Sequence, residues 1–169
     1  MQRTVELSFA SALACDRAEV WARVATMEGV NHELSPFLKM TSPNNAPTLS
    51  SQHVPCNDVL FASWLLVFGV IPFDRHALAI ESINDGVGFV EDSTSLLQRR
   101  WRHARTISER AGGCVVQDHL TIEPRLAYAA PIVERVVRRL FNHRHRKLQQ
   151  QFGALTVPAT AIPPTNALR

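Results

Sequence analysis

The sequence predicts an α+β protein in which an antiparallel β-sheet is followed by one long C-terminal helix. Three observations carry this. From Val59 to Ile122 the chain is a succession of β-rich segments, and most connections are too short for helical crossovers, so neighbouring strands run antiparallel. From Leu126 to Phe152 apolar residues recur at helical spacing. The 169 residues are 46% apolar and 20% charged, which suits one domain with a sizeable core and excludes a disordered, collagenous or coiled-coil chain.

The elements follow in order. Val5, Leu7 and Phe9 alternate with Thr4, Glu6 and Ser8, the period-two pattern of a strand with one buried face. Asp16 precedes Glu19 by three residues, a capping-box-like start for a helix reaching about Met27, with Gly29 as its stop. A second short helix, Val30 to Leu34, ends at Ser35-Pro36. Thr41 to Cys56 holds three prolines and few large apolar residues, and is expected as a long loop with at most an edge strand. Val59 to Val67 reads as a buried strand broken by Gly69 and Pro72. Ala77 to Ile83 follows, then the hairpin turn Asn84-Asp85-Gly86, and strands over Val87 to Ser93 and Leu97 to Ile107. Ala111-Gly112-Gly113 turns the chain into Val115 to Ile122. Pro124 and Pro131 stand at or before the first turn of the last helix, where proline is tolerated. Leu126, Ala130, Val133, Val137, Leu140, Phe141, Leu148 and Phe152 form its apolar face, and Gly153 ends it. Residues 1–153 are thus expected as a single domain, and 154–169, with three prolines and no acid, as a disordered tail.

The net charge of +3 is unevenly spread. Arg135 to Lys147 holds six Lys/Arg and no acid, leaving the rest of the chain at −3. Arg135, Arg138, Arg139 and Arg146 project from the polar side of the last helix, either as an ordinary solvated face or as a contact for an anionic membrane surface or acidic partner. Nothing in the sequence resembles a nucleic-acid-binding motif, so nucleic acid is not expected as a partner. Cys15, Cys56 and Cys114 are widely spaced and odd in number, which favours a reduced intracellular chain over a disulfide framework. The longest apolar run, Val59 to Phe73, holds 15 residues where a membrane-spanning helix needs about 20. Ala12-Leu13-Ala14-Cys15 only faintly matches a lipoprotein cleavage site, because the segment before it is short and carries Glu6. A soluble cytoplasmic protein is expected.

Leu66-Val67-Phe68-Gly69-Val70-Ile71-Pro72-Phe73, Trp101-Arg102-His103-Ala104-Arg105, Asp118 and Phe141-Asn142-His143-Arg144-His145, together with the element order, resemble a bacterial branch of the START-like superfamily (SRPBCC). That superfamily includes polyketide cyclases, lipid-transport proteins and pollen allergens. The likeness spans roughly residues 3 to 153. It implies the helix-grip fold, a curved antiparallel sheet wrapped around the long C-terminal helix, and a cavity between that helix and the concave sheet face. A hydrophobic small molecule or lipid is the implied occupant.

Strand parity places Trp101, His103 and Arg105 on one face, and Asp118 among Val116, Leu120 and Ile122 on the apolar face of the next strand. A hairpin centred near Ala111–Gly112 sets Arg105 opposite Asp118, His103 opposite Leu120 and Trp101 opposite Ile122. The resulting Arg–Asp pair either satisfies itself in the core or presents donors, with His103, to a polar group of a ligand. Arg144 falls on the apolar face of the helix and either snorkels to its rim or points into the cavity. The candidate ligand-binding residues are Trp64, Phe68, Trp101, His103, Arg105, Asp118, Phe141 and Arg144.

Non-catalytic binding or carriage of a hydrophobic molecule is the first expectation. A cyclase- or hydrolase-like reaction on a carbonyl substrate is the alternative, with His103 as general base and Arg105 or Asp118 in support. A membrane- or protein-docking module is the third. No cofactor is expected. No metal is expected either, since His143 and His145 lie about 200° apart on a helix and the other histidines lack ligand spacing. There is no G-x-S-x-G elbow and no dinucleotide fingerprint.

Overall fold

The computed structural model describes residues 3–155. Its order is β1 (Val5–Leu13), α1 (Arg17–Val24), α2 (Met27–Leu34), β2 (Leu38–Met40), β3 (Val59–Val67), β4 (Ile71–Asn84), β5 (Gly88–Ser95), β6 (Gln98–Arg110), β7 (Gly113–Pro124), a single 3-10 turn at Ala127–Ala129, and α3 (Ala130–Phe152). The seven strands form one antiparallel sheet in the order β1-β7-β6-β5-β4-β3-β2. β2 to β7 therefore run as a meander, and β1 returns to pair with β7. The sheet curls into a half-barrel with α3 along its concave side.

Alternation explains which face is buried. Along β7 the side chains of Cys114, Val116, Asp118, Leu120 and Ile122 all point inward, and on β6 those of His103, Arg105 and Ile107 do the same. α3 covers the β1–β7 end of the sheet. Its Val137 and Phe141 pack with Val5, Leu7, Leu120 and Ile122, and its Leu148 and Phe152 with Leu13, Ile107, Cys114 and Val116, where α1 adds Val20 and Val24. Pro131 occupies the first turn and Gly153, at φ 76°, ends the helix.

Several sequence expectations need correction. Gly29 does not stop a helix; it lies in the first turn of α2, where its amide donates to the side-chain oxygen of Thr26 at 3.0 Å. Asp16 sits at the N-cap of α1, but its side chain makes no cap hydrogen bond. The edge strand β2 precedes the proline-containing loop instead of lying in it. Pro72 does not break a strand: it pairs with Leu66 in β4 beside a register shift, a place where a missing N–H is tolerated. The strand Val59–Val67 forms as expected, as β3, and turns at Phe68 and Gly69 with φ of 51° and 75°, but it is mostly half-buried or exposed, and Phe68, Val70 and Ile71 beyond it are exposed. Leu126 is exposed and lies ahead of α3. Of the expected tail, Ala154 bridges to Leu13 and Leu155 donates its amide to the Ala12 carbonyl; the remainder lies outside the described residues.

A candidate ligand cavity with a buried ionic wall

A cavity of about 330 Å³ opens where α3 leaves the sheet uncovered. It lies between α2, the inward faces of β3 to β6 and the flank of α3 that carries Val133, Val136 and Leu140. The walls are mostly aliphatic and aromatic, with Leu60, Leu65, Leu78 and Trp101 from the sheet. Phe73, Leu97, Ile132 and Val136 both line the cavity and are exposed, so they mark its mouth. Few polar side chains reach the lining. Asp74 and His76 come from β4, Glu91 and Ser95 from β5, Gln98 and His103 from β6, and Arg144 from α3.

Behind one wall stands a network of buried charges. The register between β6 and β7 pairs Arg105 with Asp118, His103 with Leu120 and Trp101 with Ile122, as the turn position predicts. The guanidinium of Arg105, 1% exposed, donates from Nε to Asp118 Oδ1 at 2.7 Å and from Nη2 to Oδ2 at 2.8 Å. It also donates from Nη1 and Nη2 to the carboxylate of Glu33 on α2, at 2.8 and 3.0 Å. Arg144 Nε donates to Glu33 Oε2 at 2.9 Å, and its guanidinium lies 4.7 Å from the centroid of the Phe141 ring. Arg144 is buried rather than snorkelling.

Imidazoles complete the network. A carboxylate only accepts, so His103 Nε2–H donates to Asp118 Oδ1 at 2.9 Å and His145 Nε2–H to Oδ2 at 3.0 Å. Ser11 Oγ and His145 Nδ1 stand 2.8 Å apart, closing that end. On the cavity side His76 Nε2 donates to Glu91 Oε1 at 2.6 Å, while His103 Nδ1 faces Glu91 Oε2 at 3.8 Å.

The electrostatics follow from these contacts. Burial alone raises a carboxylic acid's pKa, yet Asp118 is held well below its ordinary value, because Arg105 and then His103 favour the anion. Glu33 is likewise lowered against its burial, by Arg105 first and Arg144 second. Glu91 is lowered by the facing imidazoles of His103 and His76. Arg105 is raised despite its desolvation, by Asp118 and Glu33.

Of the eight ligand-binding residues expected from sequence, Trp101, His103, Phe141 and Arg144 line the cavity. The others are placed elsewhere. Arg105 and Asp118 lie behind the wall, with the donors of Arg105 committed to carboxylates. Trp64 is on the outer face of β3, 43% exposed, with Arg75 over its ring at 5.9 Å; parity decides this, since inward-facing Ser63 is its neighbour. Phe68 is 65% exposed in the β3–β4 turn. Sequence reasoning missed Glu33, His76, Glu91 and His145. Glu33 lies four residues after the buried Gly29 on α2, and His76 and Glu91 share parity with buried Ile80 and Phe89, so spacing could have flagged all three. Among the described residues no group of three or more His, Cys, Asp or Glu is placed to hold a metal ion, and no helix is long and apolar enough to cross a membrane.

A half-barrel of antiparallel strands gripping a long C-terminal helix, with two short helices after the first strand, is the helix-grip α+β fold. Residues 11–152 match the domain of unknown function DUF8410, and the chain belongs to that family. No curated protein matches. Among solved structures, a protein from Chromobacterium violaceum superposes with a TM-score of 0.65 at 10% identity, covering 89% of this chain and 96% of its own. A START superfamily protein from Mycobacterium smegmatis gives 0.62 at 12% identity, with 90% and 97% covered. The di-domain ARO/CYC StfQ from the steffimycin biosynthetic pathway gives 0.60 at 11% identity, over 89% of this chain and 50% of that one. Likeness at this identity establishes the fold.

Proposed function

We propose that this protein binds and carries an apolar small molecule or lipid in the cavity between α3 and the sheet. The observation that carries the reading is the cavity itself: about 330 Å³ lined by apolar side chains with a few placed polar groups, the make-up of a small-molecule site. The START superfamily protein and the ARO/CYC protein among the structural neighbours fit a ligand-binding role of this general kind. A reaction with His103 as general base draws no support from the geometry, because its Nε2 is bonded to Asp118 and its Nδ1 faces Glu91. The test is uptake of a neutral solvatochromic dye such as Nile red, alongside native mass spectrometry of the purified protein for a co-purifying molecule. Leu78→Trp, which puts an indole into the cavity wall, should abolish dye uptake while the circular dichroism spectrum is kept. Wild-type protein that neither takes up dye nor carries a molecule would overturn the proposal.

The mouth supports a finer reading, that loading occurs at an anionic membrane surface. Ile132 and Val136 are exposed at the mouth, and Arg135 and Arg139 adjoin them on α3, each without an ion pair among the described residues; Arg138 instead bonds to Glu134 at 2.9 Å. Paired cations beside exposed apolar residues suit anionic headgroups. Flotation with anionic vesicles should fall with added salt and in Arg135→Ala/Arg139→Ala; salt-independent flotation, or none, would refute membrane loading and leave the cavity reading untouched.

A further inference from the structure

The charges around the cavity do not balance evenly. Arg105 and Arg144 are matched by Asp118 and Glu33, and Glu91 has His76 and His103. Asp74 is different. It is 3% exposed and lines the cavity, yet no Lys, Arg or His pairs with it among the described residues. Its Oδ1 accepts from the amides of Arg75 at 2.9 Å and Leu97 at 3.2 Å; its Oδ2 has no hydrogen bond there. The Arg75 side chain points to the other face of the sheet, over Trp64.

The surroundings of Asp74 are also rich in acceptors. Gln98 lines the cavity at the same end, its amide bonded to Ser95 Oγ at 2.9 Å, and its side-chain carbonyl oxygen is buried without a partner. The aromatic rings of Phe73 and Trp101 belong to the same lining. The buried Gln98 oxygen left without a donor is costly, and the Asp74 carboxylate meets no cation at the cavity wall among the described residues. A group with several N–H donors and a positive charge would satisfy both. A carboxylate would meet repulsion there.

Building on the apolar-carrier reading, we infer that the cavity takes an apolar amine, its ammonium seated on Asp74 and Gln98 and its hydrocarbon body among the aliphatic walls. The alcohol of the same chain length binds less tightly, because it brings one donor and no charge. The fatty carboxylate binds least.

The test is displacement of Nile red at neutral pH by decylamine, decanol and decanoate. Decylamine is expected to bind at least about tenfold more tightly than decanoate, a modest yield for one new ion pair at a desolvated site. Asp74→Asn keeps the Oδ1 acceptor for the Arg75 and Leu97 amides, so it preserves the fold while removing the charge. It should reduce the preference to within about threefold, read as the ratio of the two affinities so that any change in dye uptake cancels, with the circular dichroism spectrum kept. Decanoate binding as tightly as decylamine, or a preference unchanged in Asp74→Asn, would overturn the inference while the carrier reading stands. Failure of wild-type protein to take up the dye overturns both.

Discussion

Glu33→Gln is the sharpest perturbation of the buried network. Glu33 is 2% exposed and is the carboxylate that reaches two arginines from α2. Arg105 would keep its paired bonds to Asp118, and the Gln carbonyl could still accept one N–H. Arg144 would lose the one carboxylate it pairs with among the described residues while remaining buried. Stripping one partner from a buried pair costs about 3–5 kcal/mol, and the surviving acceptor places this variant near the lower end, about 3 kcal/mol. Against a typical total of about 5–15 kcal/mol that is a large fraction. For a chain of this size it corresponds to a fall in Tm of roughly 6–12 °C. Urea unfolding followed by circular dichroism reads the loss directly. A second variant, Arg144→Met, and the double variant close a cycle in which the double should cost about 1–3 kcal/mol less than the sum of the singles. Glu33→Gln within about 0.5 kcal/mol of wild type, or an additive double variant, would refute the claim that these buried charges depend on one another.

Two further outcomes follow from the same contacts. Glu33, Glu91 and Asp118 all have folded pKa values below their ordinary values of 4.5, 4.5 and 3.8, so their stabilisation is complete above those values and is lost as pH falls through the depressed ones; unfolding free energy should therefore drop below about pH 4.5, and a flat profile between about pH 5 and 3 would contradict this. Gly29→Ala would place a Cβ 1.9 Å from the backbone oxygen of Arg23, which forces α2 off α1 and should cost about 1–3 kcal/mol of unfolding free energy despite the better helix propensity of alanine; a neutral or stabilised variant would show that this contact relaxes freely.

How much of this was legible in the sequence depends on the range of the signal. Period-two alternation along β6 and β7, with a glycine turn between them, was enough to set the Arg105–Asp118 register. Helical spacing was enough to put Arg144 on the inner face of α3. Both are local signals. Glu33 lies 72 residues from Arg105 and 111 from Arg144 in the chain, so no local pattern connects them; only the docking of α2 under α3 does. The β3–β4 hairpin misled for a different reason. An apolar run reads as buried, but here Phe68, Val70 and Ile71 extend beyond the part of the sheet that α3 covers. Trp64 fell on the wrong face although its parity with Ser63 and Leu65 was readable. Asp74, two residues before His76 on the same face of β4, lies ahead of the strand expected over Ala77 to Ile83, so it had no expected role.

The placement of the ionic network follows from the cavity beside it. An internal space deprives the side chains around it of packing partners, and dispersion contacts with them. Apolar residues alone would tend to collapse into such a space, because nothing directional holds them apart. α3 packs firmly on β1 and β7 through Val137, Phe141 and Leu148, but its other flank faces the cavity. There its position is fixed by Arg144 bonded to Glu33 of α2, while on the opposite flank, against β1, His145 is bonded to Asp118 of the sheet. Glu33 is in turn anchored to Arg105. Helix, helix and sheet are thus tied through fixed hydrogen-bond geometry at the edge of a region that packing cannot hold. Glu33→Gln should then lower dye uptake together with stability, through closure of the space as α2 loses its tie to α3. Uptake unchanged in a clearly destabilised Glu33→Gln protein would mean that the sheet's own curl, and not the network, keeps the cavity open.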